Sequence, residues 1–213
     1  KKFSSKIVLT AHPTQLYPSR VLGIIDELKH KIVSNDPSAI RDVLIQLGWT
    51  PFFKKRKPSP FEEASKLVWY LENVFFHVSS NLLKNLKEQM GSNSIPPKSI
   101  SIGFWPGGDR DGNPYVTNEI TIKVANLLRD SLIKLYINEI REVRKKITFS
   151  NLYEKLEEIE LSLIKHLNHS KEYKLEKFIR ALTNIKNKLF AEYNGIFVED
   201  IEGLLNSINL FGY

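Results

Sequence analysis

The amino-acid sequence predicts a mainly α-helical protein that also carries two short strands. Most of the chain has apolar residues at spacings of three and four, which is the period of amphipathic helices. Two short runs differ, because residues 7–11 are apolar and mostly β-branched and residues 99–104 alternate with period two. Each run leads into polar or glycine-rich sequence at its C-terminal end, where parallel α/β proteins bind ligands.

Capping signals set the predicted starts of the helices in the first half of the chain. A first helix covers 18–33, and a second runs from the N-cap residue Asp36 to about residue 47. A capping box at Ser59 begins a long helix, for which Gly91 is the predicted end. The predicted apolar stripe of this long helix is Leu67, Leu71, Val74, Val78, Leu82 and Leu86.

The second half of the chain is predicted to be helical throughout. Thr117 caps a long helix and Glu119 lies in its first turn, where a carboxylate interacts favourably with the helix dipole. Three further helices are predicted at about 151–167, 171–192 and 197–208.

Composition excludes several classes of protein. The chain of 213 residues has no cysteine, which excludes a disulfide scaffold, thiolate zinc sites and cysteine catalysis. No apolar run approaches the ~20 residues that span a bilayer, and no signal peptide is recognisable, so we expect no membrane partner and a cytoplasmic location. The net charge of +7 raises the question of nucleic acid, but the dense basic run 54–57 lies in a proline-bounded loop and indicates solvated surface. We therefore expect no nucleic-acid partner.

The loop formed by residues 103–114 is the strongest functional signal in the sequence. It holds four glycines and two prolines around the triplet Asp109, Arg110 and Asp111. Glycine lets backbone N–H groups approach a ligand, and an arginine guanidinium binds oxyanions in a planar fork. The loop therefore predicts an anion site, and His12 follows the first strand at the equivalent position.

Three segments of the chain, in the same order, resemble signatures of the phosphoenolpyruvate carboxylase family. Residues 8–15 contain the family's T-A-H-P-T core, and residues 103–117 are similar to its G-x-W-x-G-G-D-R-D-G-N-P-x-V-T segment. Residues 57–64 resemble its K-P-T/S-P-x-D-E segment. The resemblance implies that 1–213 is the N-terminal part of a longer enzyme, a single mostly helical unit that stops before the next strand. That unit would be mainly α and would carry the first two strands of an incomplete parallel α/β (TIM-like) barrel.

The resemblance also implies a reaction, a metal and partners. Family enzymes join phosphoenolpyruvate and bicarbonate to give oxaloacetate and phosphate, through carboxyphosphate and enolpyruvate, with Mg²⁺ or Mn²⁺. The family's metal ligands lie in sequence beyond this chain, so no metal ligand is assigned here. The expected partners are phosphoenolpyruvate, bicarbonate and the remainder of the same polypeptide, in a parent homotetramer. We expect the isolated chain to be inactive.

The resemblance assigns roles to individual residues, and each role has a structural alternative. His12 would be the catalytic histidine, which exchanges a proton with carboxyphosphate near neutral pH, or a histidine that closes a strand. Arg110 would clamp phosphate or carboxyphosphate, or pair with its aspartate neighbours. Trp105 would wall the bicarbonate pocket or pack in the core. Gly107 and Gly108 would let the loop approach the substrate.

The chain departs from the family pattern after the first signature. Members of the family commonly have two arginines a few residues after T-A-H-P-T, where this chain has Pro18 and Ser19. Arg20, one position later, is therefore the candidate replacement in substrate binding. Neither His12 nor Arg110 is affected by this difference.

Two other functions stay open from the sequence. The first is a non-catalytic helical module that retains the site loops, for which thermal stability would be indifferent to added phosphate. The second is a basic helical protein whose binding to nucleic acid weakens with salt. The glycines around Arg110 favour a small anion over a polymer, and we expect Asp109 and Asp111 to orient that arginine and to tie down loop N–H groups.

Overall fold

The protein is described by a computed structural model over residues 5–10, 17–52, 58–90, 100–109, 113–168 and 172–213. Two strands, β1 (Ser5–Leu9) and β2 (Ile100–Phe104), pair in parallel. Helices make up most of the remainder: α1 (Ser19–Val33), α2 (Pro37–Trp49), α3 (Pro60–Tyr70), α4 (Phe76–Met90), α5 (Asn118–Lys146), α6 (Ser150–Leu167), α7 (Leu175–Glu192) and α8 (Val198–Phe211). The mainly helical prediction with two parallel strands is confirmed, and the larger barrel stays a prediction.

The predicted N-caps are present. The side chain of Asp36 accepts a hydrogen bond from the first turn of α2. At the start of α3, the Ser59 hydroxyl accepts from the backbone N–H of Glu62 (3.3 Å), and the Glu62 carboxylate accepts from the backbone N–H of Ser59 (2.8 Å). The side chain of Thr117 accepts a hydrogen bond from the first turn of α5. These bonds satisfy N–H groups that a helix leaves without partners at its start. Gly91, the predicted end of the long helix, lies outside the described residues.

The long helix that follows Ser59 is interrupted by a π-helical segment, Leu71–Phe75, which joins α3 to α4. A π turn accommodates one extra residue, so the positions after it are rotated by about 100° relative to an uninterrupted α-helix. Beyond the segment, the described side chains of α4 that are buried or partly buried are Phe76, Ser79, Ser80, Leu83 and Leu86. The predicted stripe is therefore wrong at Val74, Val78 and Leu82, all of which are exposed.

The core lies around α5, which packs against α3, α6 and α8. Tyr136 of α5 is fully buried there, and its hydroxyl donates a 2.7 Å hydrogen bond to the carbonyl oxygen of Gly212. Its ring contacts Phe76 and Phe178, with centroids 5.9 and 5.7 Å away. Burial raises the pKa of Tyr136 well above its ordinary value.

The small sheet rests on this core by one face. Leu9 of β1 is buried in the core, and Ile102 and Phe104 of β2 pack against it. Because Ile7 pairs with Ile102 and Leu9 with Phe104, these four side chains share that face. Within the described parts of the chain, no helix is both long enough and apolar enough to cross a bilayer.

Candidate active site

The two strands end side by side, so the segments that follow them start from one edge of the sheet. Leu9 is the register partner of Phe104, and the backbone N–H of Trp105 donates a 2.9 Å hydrogen bond to the carbonyl oxygen of Leu9. This bond extends the ladder by one residue and fixes Trp105 beside Thr10. Both residues line an open cavity of about 990 Å³. It is the edge at which the sequence predicts a ligand site.

Four parts of the chain form the described walls of this cavity. They are the residue that follows β1, the start of α3, the glycine loop and the turn that leads into α5. The described lining residues are Thr10, Pro58, Ser59, Pro60, Glu62, Glu63, Trp105, Pro106, Gly107, Asp109, Asn113, Tyr115, Val116 and Ile120.

Trp105 is a wall of the cavity and not part of the core, since 52% of its surface is exposed. Its indole Nε1–H donates a 2.9 Å hydrogen bond to Oδ2 of Asp109. Its carbonyl oxygen accepts from the backbone N–H of Gly108 (3.0 Å) and of Asp109 (3.3 Å). The backbone N–H of Gly108 is therefore already bonded within the turn, although Gly108 itself is exposed.

Gly107 holds the loop against α5. Its φ of +76° lies in the left-handed region, and a Cβ built there would lie 2.6 Å from Cγ2 of Val124. The hydroxyl of Thr121 donates a 2.7 Å hydrogen bond to the Gly107 carbonyl oxygen. A side chain at position 107 would push the loop off the helix, so glycine is required there for close packing as well as for its backbone conformation.

Asn113 shapes the turn into α5, as its residue type predicts. Its side-chain oxygen accepts from the backbone N–H of Tyr115 (3.1 Å), and its carbonyl oxygen accepts from the N–H of Val116 (3.1 Å). The turn brings Tyr115 and Val116 to the cavity, directly before Thr117 caps the helix.

The structure separates the predicted site residues into three groups. Trp105 and Gly107 line the cavity, and Gly108 lies in the same turn. Arg20 is exposed on the first turn of α1 and is not one of the described residues that line the cavity. His12 and Arg110 lie outside the described residues, as does the basic run 54–57.

The described walls combine carboxylates with two helix N-termini. Glu62, Glu63 and Asp109 line the cavity, whereas no lysine, arginine or histidine belongs to its described lining. The N-termini of α3 and α5 both open onto it, and each contributes partial positive charge. Glu62 and Glu63 lie in the first turn of α3 and offset that charge. An anion in this cavity would therefore need cations from residues beyond its described lining.

No metal centre is present in the parts of the chain that the structure describes. Those parts hold no group of three or more histidine, cysteine, aspartate or glutamate side chains arranged to bind an ion. The described residues thus do not supply a ligand set that fits Mg²⁺, which prefers carboxylate and water oxygens in octahedral geometry.

Most of this chain is similar in sequence to known proteins. A family model described as phosphoenolpyruvate carboxylase matches residues 1–196. The chain belongs to the phosphoenolpyruvate carboxylase family. Phosphoenolpyruvate carboxylase of Salmonella typhi is 30% identical over 224 residues, covering 96% of this chain and 25% of its own length. The protein of the same name from Synechococcus sp. (strain WH7803) is 27% identical over 238 residues, covering 95% and 24%. The chain therefore spans about a quarter of the length of these relatives.

A second cavity, of about 520 Å³, lies between α4, α5 and α8. Two of its carboxylates are paired with lysines, Glu199 with Lys84 (2.8 Å) and Asp200 with Lys146 (2.6 Å). The bond to Glu199 raises the pKa of Lys84, and the same bond lowers the pKa of Glu199. Burial raises the pKa of Glu139 in the same wall. These pairs join α8 to α4 and α5, so packing of the helices explains why these charged side chains lie at the cavity.

Sequence reasoning missed several residues of the candidate site. Glu62 and Glu63 were predicted only as part of a helix start. Their position in the family-like segment 57–64 was the signal that could have assigned them to the site. Tyr115 lies inside the second signature-like segment at a variable position, so residue type alone did not single it out. Thr121 reaches Gly107 across 14 positions of sequence, a contact that no local pattern indicates.

Proposed function

We propose that this chain is part of a phosphoenolpyruvate carboxylase that converts phosphoenolpyruvate and bicarbonate into oxaloacetate and phosphate. The reaction would pass through carboxyphosphate and the enolate of pyruvate. Support comes from membership of the family over residues 1–196 and from the names of the relatives that match nearly the whole chain.

The parallel pairing of β1 with β2 is the observation that carries the proposal. It brings the carboxyl ends of the two strands together, with Leu9 opposite Phe104. The segment with His12 begins at one of these ends and the segment with Arg110 begins at the other. Two signature-like segments that are about 90 residues apart thus start from one edge, beside one cavity.

The proposed chemistry needs positive charge, hydrogen-bond donors and the exclusion of water. Phosphoryl transfer depends on positioning and on electrostatic stabilisation of migrating negative charge. Arg110 would hold phosphate or carboxyphosphate through a bidentate contact, and Arg20 would add a second cation to substrate binding. His12 would exchange a proton with carboxyphosphate, since an imidazole titrates near neutral pH. Trp105 and the close-packed Gly107 would form the wall that shields the enolate from water.

The parent enzyme is proposed to have properties that this chain does not carry alone. The Mg²⁺ or Mn²⁺ expected in it would be held by residues elsewhere in the polypeptide, and no step above passes through the metal. The remaining strands of a TIM-like barrel would also come from the remainder of the polypeptide. We further propose a cytoplasmic homotetramer, and we expect the isolated 213-residue chain to form no oxaloacetate.

The test is a coupled assay for oxaloacetate on the full-length polypeptide, with Mg²⁺, phosphoenolpyruvate and bicarbonate supplied. The wild type should show bicarbonate-dependent turnover. His12→Ala and Arg110→Ala should each lower kcat by at least about a hundredfold, the usual contribution of one acid–base or oxyanion-binding group.

Matched controls separate chemistry from folding. His30→Ala and Arg41→Ala remove the same side-chain types from exposed positions on α1 and α2 and should leave the activity unchanged. A wild type without bicarbonate-dependent turnover, or controls that lose activity as completely as the site variants, would contradict the proposal.

A further inference from the structure

We propose that Asp109 is a positioning residue that acts through Trp105. Its carboxylate holds the indole as an apolar wall of the cavity and occupies the one polar group of that ring. The geometry supports this assignment directly, while its effect on the reaction rests on the proposed carboxylase function.

Trp105 is held at three points. Its backbone N–H bonds to Leu9 at the end of β1, and its carbonyl oxygen accepts from the amides of Gly108 and Asp109. Its indole Nε1–H donates to the Asp109 carboxylate over 2.9 Å. The first two contacts fix the backbone, and the third fixes the side-chain rotamer. Because Trp105 is 52% exposed, packing constrains its indole less than it would in the core, and the third contact selects one orientation.

The contact also determines what the ring offers to a ligand. An indole has a single N–H donor and no acceptor. Because that N–H points to Asp109, the part of Trp105 that lines the cavity is carbon surface. A bound anion would therefore receive no hydrogen bond from the indole, and the indole would offer water no partner either.

The bond to the indole also reduces the electrostatic repulsion between Asp109 and a bound anion. Asp109 lines the cavity in which anionic substrates are proposed to bind, and its negative charge would repel them. The indole N–H of Trp105 donates to this carboxylate and compensates part of its negative charge. The charge-assisted bond is stronger than a neutral one, which suits it to a fixing role.

For the proposed reaction, the wall would protect the enolate. An enolate that meets water is protonated to pyruvate, so a displaced indole should divert phosphoenolpyruvate from oxaloacetate to pyruvate. Asp109→Ala should therefore raise the ratio of pyruvate to oxaloacetate, and the KM for bicarbonate, by on the order of tenfold, as for the loss of one good hydrogen bond. A general loss of stability would lower kcat without changing the product ratio.

The experiment compares Asp109→Ala, Asp109→Asn, Trp105→Phe and the double variant Asp109→Ala/Trp105→Phe in the full-length polypeptide. Asp109→Asn keeps an oxygen acceptor for the indole and should retain most of the wild-type product ratio. Trp105→Phe should raise the ratio, and Asp109→Ala should add nothing further in that background, because the two residues act as one unit. Asp26→Ala, an aspartate change on α1, should leave the ratio unchanged.

A second measurement does not depend on activity. With ¹⁵N-labelled tryptophan, the indole N–H signal of Trp105 is assigned by its disappearance in Trp105→Phe. The bond to a carboxylate should place this signal downfield, and Asp109→Ala should move it upfield and speed its exchange with water. An unmoved signal, or an additive effect of Asp109→Ala in the Trp105→Phe background, would overturn the inference. Absence of bicarbonate-dependent turnover in the wild type would instead contradict the proposed function, and the indole signal would still decide the role of Asp109.

Discussion

The hydroxyl of Thr121, near the start of α5, donates a 2.7 Å hydrogen bond to the carbonyl oxygen of Gly107. One turn later, Val124 lies where any side chain at position 107 would project. Gly107 is thus held on the face of a 29-residue helix that is also the centre of the core. Because eight residues of α5 are buried, this helix is a well-packed support for Gly107, and sites that stabilise charge depend on such support.

Gly107→Ala should destabilise the protein by about 2–5 kcal/mol. The left-handed φ of +76° costs a residue with a Cβ about 1–2 kcal/mol, and overpacking a filled site costs about 1–3 kcal/mol. Here the new Cβ would lie 2.6 Å from Cγ2 of Val124, so either the loop or α5 must shift. Urea unfolding followed by circular dichroism measures the change in the free energy of unfolding.

Gly48→Ala is the matched control for this substitution. Gly48 lies inside α2 and has no atom within 4 Å of the position of an added Cβ. Alanine there should stabilise the helix by about 0.5–1 kcal/mol, since glycine is a poor helix former. Equal and small effects at the two glycines would contradict the close packing of Gly107 on α5.

Ser59→Ala should lower the free energy of unfolding by about 1 kcal/mol, the usual cost of losing an N-cap. The variant removes the acceptor for the N–H of Glu62 and loosens the reciprocal bond from Glu62 to the backbone of residue 59. Since Ser59 and Glu62 both line the cavity, the first turn of α3 should also become more open to hydrogen exchange. Amide exchange measured by mass spectrometry reports that opening directly.

A second serine in the same helix provides the control. Ser65 lies inside α3, where its hydroxyl donates to the carbonyl oxygen of Phe61 (2.8 Å). Ser65→Ala should be neutral or slightly stabilising, because alanine has the higher helix propensity. Comparable losses at Ser59 and Ser65 would argue against a capping role for Ser59.

The features that the sequence predicted correctly depend on local signals. The caps at Asp36, Ser59 and Thr117 follow from residue types within three or four positions, and the structure has all three. The two strands follow from β-branched and alternating runs, and both are present. Their parallel pairing, which the family resemblance implied, is also confirmed. Such signals are short-ranged, so they survive whatever packing surrounds them.

The features that were missed depend on contacts between distant parts of the chain. Nothing near Leu71 signals an extra residue in the helical repeat. The π-helical segment Leu71–Phe75 appears only in the structure, where the backbone N–H of Phe76 donates to the carbonyl oxygen of Leu71. The sequence also left Trp105 open between wall and core, and its exposure and its bond to Asp109 decide for the wall. Residue type identified the candidate site, whereas tertiary contacts determine how its parts are held.

Deletion of Asn73 from the π-helical segment should be tolerated, with a change in unfolding free energy of about 1 kcal/mol or less. Removing one residue restores an uninterrupted α-helical repeat, so the residues buried on both sides of the deletion keep one common face. Asn73 is exposed, and its one described bond is to the carbonyl oxygen of Trp69 (2.8 Å). Circular dichroism and urea unfolding of the deletion variant are the measurements.

The same deletion within a regular helix should behave differently. Asn138 is exposed in α5 between buried Ile137 and buried Ile140. Its removal would rotate the following core residues by about 100°, and each misplaced large side chain costs about 2–5 kcal/mol. The Asn138 deletion should therefore fail to fold. Similar stability of both deletion variants would contradict the interpretation of Leu71–Phe75 as an inserted residue.

Tyr136→Phe should flatten the loss of stability at alkaline pH. Burial raises the pKa of Tyr136 above its ordinary value of about 10, so the folded state keeps the phenolic proton that the unfolded state releases. Ionisation then stabilises the unfolded state as pH rises past about 10, and stability falls by up to about 1.4 kcal/mol per pH unit for this one group. Below about pH 10 both states are protonated and the contribution does not change.

The measurement is the free energy of unfolding by urea between about pH 8 and pH 11. Tyr136→Phe should lose about 1 kcal/mol at pH 8, because the carbonyl oxygen of Gly212 loses its donor, and should fall less steeply than the wild type above pH 10. A residual slope is expected, since burial also raises the pKa of Tyr173 and of Tyr213. Tyr115→Phe, at a side chain that is 74% exposed, should keep the wild-type slope. If Tyr136→Phe kept that slope too, Tyr136 would not be the group whose ionisation drives alkaline unfolding.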